Sequence, residues 1–342
     1  MEFSNNFSPT ARMILVGAAI VVLIAGLKSA SGIVSPLLMA VFISIVCTPA
    51  LFWMQRRGFP TVVALIVILG IVGLLGVAVF SLIASSLDQF SNSLPRYKQN
   101  LAAMYEQFNA TIMRWGYSLP VDGIAEQMNP DSLIKLLNYM LSGLSNILAD
   151  GLVVFLAVLF ILAEVANLPN KLRHALKSPD QSMKRLQAFT GKVIRYLALK
   201  AATSVLTAIC VAVVLWILKI DYVFLWAVLA FFLNFIPYVG SVLAGIPAVL
   251  LALVDHGLVT ALWVTAGYVV INIVIGNIIE TRLMGGGLNL SSFVVFVSLI
   301  FWGWVLGPVG MFLSIPLTML ITIALESGPD SQRIAQLMQN TH

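Results

Sequence analysis

The sequence has 342 residues, of which 60% are hydrophobic and only 10% are charged, and its formal net charge is +5. This balance excludes an ordinary soluble globular protein. Several apolar runs approach the roughly 20 residues that a spanning helix needs, which predicts an all-α polytopic transmembrane bundle. The basic residues lie in loops beside these runs, so the positive charge does not indicate nucleic-acid binding. Cys47 and Cys210 lie inside apolar runs, and we expect neither a disulfide nor a metal or redox centre.

The first apolar runs predict spans at 13–31, 33–54 and 61–84. The basic and small residues that flank the first run would also suit a cleaved signal peptide. The second run follows almost at once, however, so we interpret the pair as a helical hairpin.

The segment 85–142 is the only sizeable extramembrane unit, and it precedes a fourth predicted span at 143–166. Ser93 and Pro95 are typical of a helix start, and an amphipathic pattern follows them. The run 129–131, Asn-Pro-Asp, predicts the start of a second helix. We expect a small helical cap that packs on itself or on neighbouring subunits. The alternative is a gate or a partner-binding module.

Loops rich in Lys and Arg set the orientation, because positive residues in short loops stay cytoplasmic. Arg56 and Arg57 follow the second span, and the loop 167–195 holds seven basic residues against one acidic residue. Both loops and both termini should therefore be cytoplasmic. The stretch 181–199 is amphipathic and basic, and it resembles a helix lying in the inner-leaflet interface, held by anionic membrane lipid.

A fifth span is predicted at 196–218 and another at 258–277, and each precedes a long apolar stretch broken by Pro and Gly. The stretches are 222–254 and 292–325, and straight helices of that length would extend roughly 50 Å, well beyond a hydrocarbon core of about 30 Å. Each must therefore bend, break or turn back. Paired interrupted segments are the best sequence indication of a transporter's solute site. We interpret them as re-entrant hairpins, one from outside and one from the cytoplasm.

Polar residues gather near these breaks. Asn234 and Ser241 flank the first break, and Asn272, Asn277 and Glu280 follow in the next span. In an α-helix Asn277 and Glu280 would share a face. A buried amide without a partner is costly, so several at one depth favour a polar solute path. The alternative is interhelical hydrogen bonding that only holds the bundle together.

Charged residues near the ends of predicted spans can either have a functional role or simply lie at the membrane interface. Lys200, Asp221 and Asp255 fall within about a turn of such ends, and we expect them to reach the membrane interface. Glu280 and Arg282 are better functional candidates, since they could pair with each other or bind a substrate or proton.

No enzyme constellation is present in the sequence. The three His do not match a metal-ligand spacing, and the glycines at 285–287 lack the Lys and Ser/Thr of a P-loop. We therefore expect no catalytic activity, no cofactor, and no ATP-driven transport by this chain alone.

Three motifs resemble a known family. They are Phe-Leu-Asn-Phe-Ile-Pro-Tyr-Val-Gly-Ser at 232–241, Gly-Asn-Ile-Ile-Glu at 276–280, and Leu-Ile-Phe-Trp-Gly-Trp-Val-Leu-Gly-Pro-Val-Gly at 299–310. They resemble the autoinducer-2 exporters, also known as PerM-like permeases, and the quorum-signal exporter branch most of all. Two positions depart from the family pattern: Pro is commoner at the position of Thr281, and Gly is commoner at the position of Asn289.

The resemblance implies export of autoinducer-2, a small polar solute, from the cytoplasm across the bacterial inner membrane by a homo-oligomer, a pentamer. Some relatives are described as sodium/proton antiporters, so a cation/proton antiporter that uses Glu280 is one alternative. A non-transporting scaffold whose 85–142 segment binds partners is another.

The predicted organisation has six parts. They are the three-span region 1–84, the periplasmic helical region 85–142, the fourth span 143–166, the basic amphipathic region 167–195, the transport core 196–326 and the cytoplasmic tail 327–342. The residues predicted to form the solute site or pathway are Asn234, Pro237, Tyr238, Gly240, Ser241, Asn272, Asn277, Glu280, Thr281, Arg282, Gly307, Pro308 and Gly310.

Overall fold

The computed structural model describes residues 9–114, 151–165, 179–284 and 290–326, and every regular element in these ranges is helical. The predicted all-α class is confirmed. Predictions for the second extramembrane helix, the core of the basic loop, the triglycine, Asn289 and the C-terminal tail lie outside the described residues. The helices are α1 (Pro9–Ser29), α2 (Ser31–Arg56), α3 (Thr61–Arg114), α4 (Gly151–Val165), α5 (Pro179–Ile217), α6 (Val223–Leu233), α7 (Gly240–His256), α8 (Leu258–Ile271), a π-helical segment (Asn272–Glu280), α9 (Thr281–Met284), α10 (Ser292–Phe312) and α11 (Ser314–Glu326).

Within the described ranges, five helical stretches are long and apolar enough to cross a membrane: Ser31–Arg56, Thr61–Phe90, Val193–Ile217, Leu258–Glu280 and Ser292–Phe312. Large apolar side chains such as Leu74, Trp216 and Phe293 are more than 70% exposed. A soluble monomer rarely exposes so many of them together, whereas lipid solvates them. The chain is a multi-pass membrane protein.

Helix α3 is a single helix of 54 residues that continues through Pro95. The predicted helix start at Ser93 and Pro95 is therefore wrong. Proline at the first turn is a common start signal, but here packing on both sides of it keeps the helix intact. Phe90 stacks on Tyr97 with ring centroids 5.9 Å apart. At roughly 1.5 Å per residue, the helix is about 80 Å long and extends far beyond a hydrocarbon core.

Helix α5 is also continuous, running from Pro179 to Ile217. The basic stretch 181–199 and the predicted span at 196–218 are therefore parts of one continuous helix, and the contact of the basic stretch with membrane lipid stays a prediction. Val193, Tyr196 and Leu197 are buried against the second broken stretch. This packing begins before the predicted start of the span and explains why the helix does not break there.

The first broken stretch forms a helical hairpin of α6 and α7. The helices have 11 and 17 residues, so each is shorter than about 30 Å. Arg96 of α3 donates a hydrogen bond to Asp255 (2.6 Å), and the adjacent Tyr97 donates one to Asp221 (3.2 Å). Because residues just before α6 and near the end of α7 reach neighbouring positions on α3, the chain leaves the hairpin near the point where it entered.

The open end of this hairpin is well tied to α3. Tyr222 donates a hydrogen bond to Ser93 (2.8 Å), and Phe90 packs edge-on against Trp226. Burial raises the pKa of Tyr97 above its ordinary value, and the neighbouring Tyr222 and Asp221 add to the shift. The phenol therefore stays protonated and remains a donor. Asp255 and Asp221 lie in protein contacts, and their position at the membrane interface stays a prediction.

The second broken stretch also folds back on itself. Trp302 of α10 donates from Nε1 to Thr318 of α11 over 3.1 Å. These residues are 16 positions apart, and a straight helix would separate them by about 24 Å. The turn lies between them, where Gly307 adopts a left-handed φ of 68° and kinks α10.

The glycines that follow the two breaks occupy matching positions. A β-carbon added to Gly240 would collide with the carbonyl oxygen of Leu233, and one added to Gly310 would collide with that of Trp302. In each hairpin, glycine is required because the returning chain passes directly over the preceding helix. The two broken stretches therefore share this backbone geometry.

Candidate functional site

Polar residues from α5, the tip of the first hairpin and the α8 region line a narrow cavity, here called the inner cavity. Its volume is about 10 Å³, close to the lower limit for one water molecule. Three of the predicted site residues, Asn234, Ser241 and Asn272, are brought together here. The full lining is Thr207, Val211, Ala230, Asn234, Ser241, Ala244, Tyr268, Ile271, Asn272 and Gly276.

Asn234 is fixed at the end of α6. Its backbone N–H bonds to the carbonyl of Ala230 (3.0 Å), and its side chain donates to the hydroxyl of Ser204 on α5 (3.0 Å). The amide is buried, and this hydrogen bond offsets part of the free energy lost when the amide is removed from water. Thr207 lies one turn further along α5. Ser204 and Thr207 are not among the residues predicted from the sequence, although two hydroxyls three positions apart in an apolar span indicate a polar helix face.

A second, larger cavity lies between α7 and α8, and we call it the outer cavity. Its volume is about 340 Å³. Apolar side chains dominate its walls, and Ser241, Tyr268 and Asn272 line it as well as the inner cavity. The remaining lining residues are Val242, Gly245, Ile246, Val249, Leu250, Thr265 and Val269.

Tyr268 stands where the two cavities meet. It is only 8% exposed, and its hydroxyl has no hydrogen-bond partner among the described residues. Such a group typically costs about 1–3 kcal/mol. On the α7 side the ring faces Gly245, where an added β-carbon would lie 3.2 Å from Cδ1. Tyr268 is not among the residues predicted from the sequence, because a tyrosine in an apolar run is typical of ordinary core packing.

The segment Asn272–Glu280 is π-helical, and such segments occur frequently at functional sites. The prediction that Asn277 and Glu280 share a face is wrong, because it assumed α-helical spacing. Asn277 is exposed and lines neither cavity. Asn272 lies over Gly276, where an added β-carbon would come within 3.0 Å of its Oδ1. Gly276 thus leaves room for the Asn272 amide at the cavity wall.

Glu280 forms an ion pair with Lys200 of α5 at 2.6 Å. The two side chains are only 16% and 7% exposed. This finding corrects one expectation, because Glu280 pairs with Lys200 and not with Arg282, which is exposed. The position of Lys200 at the membrane interface stays a prediction. Breaking a buried pair by removing one partner typically costs about 3–5 kcal/mol, so the pair ties the π-helical segment to α5. The side chain of Thr281 is outside the described residues.

The tips of the two hairpins touch each other. Phe235 in the first tip stacks on Phe312 in the second, with ring centroids 4.4 Å apart. Pro237 and the exposed Tyr238, whose φ is 61°, complete the first tip. The break residues of the second hairpin, Gly307, Pro308 and Gly310, line neither cavity. The predicted site residues therefore fall into three groups: some line the cavities, some shape the hairpin tips, and Asn277, Glu280 and Arg282 do neither.

Comparison with known proteins gives matches over nearly the whole chain. A family model described as "AI-2E family transporter" matches residues 17–330. The AI-2 transport protein TqsA of Escherichia coli (strain K12) is 38% identical over 329 residues, which cover 96% of each chain. A putative transport protein of Haemophilus influenzae is 35% identical over 333 residues, again 96% of each chain. The putative permease PerM of Escherichia coli (strain K12) is 27% identical over 338 residues, covering 93% of this chain and 94% of that protein.

Proposed function

The chain belongs to the AI-2E family of transporters, as its motifs predicted, and we propose that it exports autoinducer-2, a small neutral signal rich in hydroxyls, from the cytoplasm. The relative named for AI-2 transport supports this choice of solute. Movement of the signal out of the cell would give the protein a role in quorum sensing.

The observation that carries the proposal is the chemistry of the inner cavity. Its polar groups are two amides, two aliphatic hydroxyls and a phenol, contributed by Asn234, Asn272, Ser241, Thr207 and Tyr268. Amides and hydroxyls both donate and accept hydrogen bonds, which suits a solute with several hydroxyl groups. In its present form the cavity holds no more than a water molecule, so transport requires the surrounding helices to separate.

We further propose a placement in the bacterial inner membrane with both termini cytoplasmic. The hairpins are re-entrant, the first from the periplasm and the second from the cytoplasm. The tie between α3 beyond residue 90 and both ends of the first hairpin supports this placement, because all three regions then lie on the periplasmic side.

We also propose a homo-oligomer, a pentamer, with lipid around its rim and anionic lipid beside the basic stretch 181–199. The apolar faces exposed on the single chain support contacts with lipid and with neighbouring subunits.

Flux into inverted proteoliposomes tests the solute and the site together. Asn234→Ala and Asn272→Ala should lower the export of labelled autoinducer-2 roughly tenfold, because each removes a cavity amide worth on the order of 1.4 kcal/mol to a bound solute. Asn277→Ala is the matched control, since this amide is exposed and lines neither cavity. Equal flux in all three variants and the wild type would show that the amides only pack.

Cysteine labelling tests the placement of the first hairpin. Asp255 is a poor position, because its side chain is covered by Arg96. The next residue, His256, is more exposed and can be replaced by cysteine in a chain lacking Cys47 and Cys210. We expect labelling by a membrane-impermeant thiol reagent in intact spheroplasts. Labelling only after lysis would contradict a periplasmic open end.

The buried Lys200–Glu280 pair favours one second candidate, a cation/proton antiporter, because it places a carboxylate inside the bundle. Glu280→Gln separates the two functions. It keeps the side-chain shape but removes the titratable charge, so an antiporter should lose coupling while a neutral-solute exporter should retain part of its flux. Absence of any transport by the purified protein would instead favour the scaffold alternative.

A further inference from the structure

Two cavities of different chemistry meet at Tyr268. The outer cavity has a volume of about 340 Å³ and mainly apolar walls. The inner cavity has a volume of about 10 Å³, and the buried amide of Asn234 and the hydroxyl of Thr207 line it. No described residue that lines either cavity is charged. Ser241 and Asn272 also border both cavities, and Tyr268 is the largest of the three shared side chains.

The phenol is held in place by shape rather than by a hydrogen bond. Its ring lies against Gly245 on α7, where even a β-carbon would be a tight fit. Its hydroxyl is buried and unpartnered within the described part of the chain. A buried hydroxyl gains free energy if a side-chain rotation brings it to a hydrogen-bond partner. The inner cavity beside it supplies amide and hydroxyl partners, as would a polyhydroxyl solute.

We propose that Tyr268 is a gate between an apolar vestibule, which is the outer cavity, and the polar solute cavity. In the closed position its ring separates the two spaces. In the open position the ring swings aside and its hydroxyl binds a neutral, hydroxyl-bearing solute as the solute passes. This inference rests on the proposed transport function, and it adds the route and a specificity-determining residue.

The gate and the phenol hydroxyl can be tested separately. Tyr268→Ala removes the partition, and Tyr268→Phe keeps the ring but removes the hydroxyl. Val264→Ala is the matched control for the truncation, since Val264 is a fully buried residue of α8 that lines neither cavity. Ser314→Ala is the control for the hydroxyl, because Ser314 carries the other buried hydroxyl without a partner among the described residues.

The full-length variants are reconstituted in liposomes, and their permeability to erythritol, a neutral polyol, is measured by osmotic swelling. We expect Tyr268→Ala to raise erythritol permeability roughly tenfold, since the ring no longer blocks the route each time the surrounding helices separate, and Val264→Ala to leave it unchanged. Permeability of Tyr268→Ala no higher than that of Val264→Ala would overturn the gate. If Tyr268→Ala does not assemble, Tyr268→Leu and Gly245→Ala, which displaces the ring, should raise the permeability in the same way.

For Tyr268→Phe we expect unchanged erythritol leak and a three- to tenfold rise in the KM for autoinducer-2, on the order of the loss of one hydrogen bond. Transport kinetics equal to those of the wild type and of Ser314→Ala would overturn the role of the hydroxyl. The swelling assay does not depend on the natural solute. Leak through Tyr268→Ala without autoinducer-2 transport by the wild type would support the gate and refute the solute. Autoinducer-2 transport by the wild type without leak through Tyr268→Ala would support the solute and refute the gate.

Discussion

The two hairpins share a motif but differ in what holds them and what they line. The first, 223–256, is tied at its open end to α3 through Asp221 and Asp255, and its helix α7 forms walls of both cavities. The second, 292–326, is tied internally by the hydrogen bond from Trp302 to Thr318, and it packs on α1 and α2.

The backbone at the second break is satisfied by protein. Ser35 of α2 donates its hydroxyl to the carbonyl of Leu306, directly before the kink at Gly307 (3.1 Å). Lys28 of α1 lies 3.9 Å from the ring centroid of Trp304. Irregular backbone at membrane depth is tolerated where such partners or a polar cavity satisfy it. Backbone bonds such as that from the Ile236 N–H to the carbonyl of Leu233 (2.8 Å) satisfy the first break, which also borders the inner cavity through Asn234. The same Pro/Gly motif therefore has a side-chain donor from another helix at the second break and a polar cavity beside the first.

The largest effect is expected at the ion pair beside the first hairpin. Glu280→Ala leaves the buried Lys200 ammonium without its carboxylate, and we expect a loss of about 3–5 kcal/mol in stability. The double variant Lys200→Ala with Glu280→Ala should recover part of that loss. Thermal unfolding in detergent measures both. A double variant less stable than Glu280→Ala would show that Lys200 is held by other contacts.

Substituting the glycines that follow the two breaks tests whether the two hairpins are packed in the same way. Gly240→Ala and Gly310→Ala each force a β-carbon into a carbonyl oxygen, and we expect losses of about 1–3 kcal/mol or more in both. Gly76→Ala is the control, because an added β-carbon there meets nothing within 4 Å. A loss in one hairpin only would break the structural parallel between them.

The parts of the fold that the sequence predicted are those encoded locally. Apolar runs located the spans predicted at 33–54, 61–84, 196–218 and 258–277, and Pro and Gly located both breaks. Pro95 misled because a proline signals a helix start locally, while the packing of Phe90 and Tyr97 keeps the helix whole. The Lys200–Glu280 pair joins residues 80 positions apart and depends on tertiary structure. Asn234, Ser241 and Asn272 were selected correctly as neighbours, because amides and hydroxyls near a break are rare in an apolar setting.

The smallest loss of stability is expected at the contacts that hold each hairpin: the Arg96–Asp255 ion pair for the first and the Trp302–Thr318 hydrogen bond for the second. Arg96 is 62% exposed, so Arg96→Ala should cost no more than about 1 kcal/mol. Thr318→Val leaves the buried Trp302 N–H without its acceptor and should cost about 1–3 kcal/mol. The cost of Arg96→Ala should also shrink in high salt, because exposed ion pairs are screened, whereas that of Thr318→Val should not change.

Hydrogen exchange should rise at 221–226 and 251–256 in Arg96→Ala, because these residues form the end of the first hairpin that Asp255 secures. Unchanged exchange there would mean that the aromatic packing of Phe90, rather than the ion pair, fixes the first hairpin to α3.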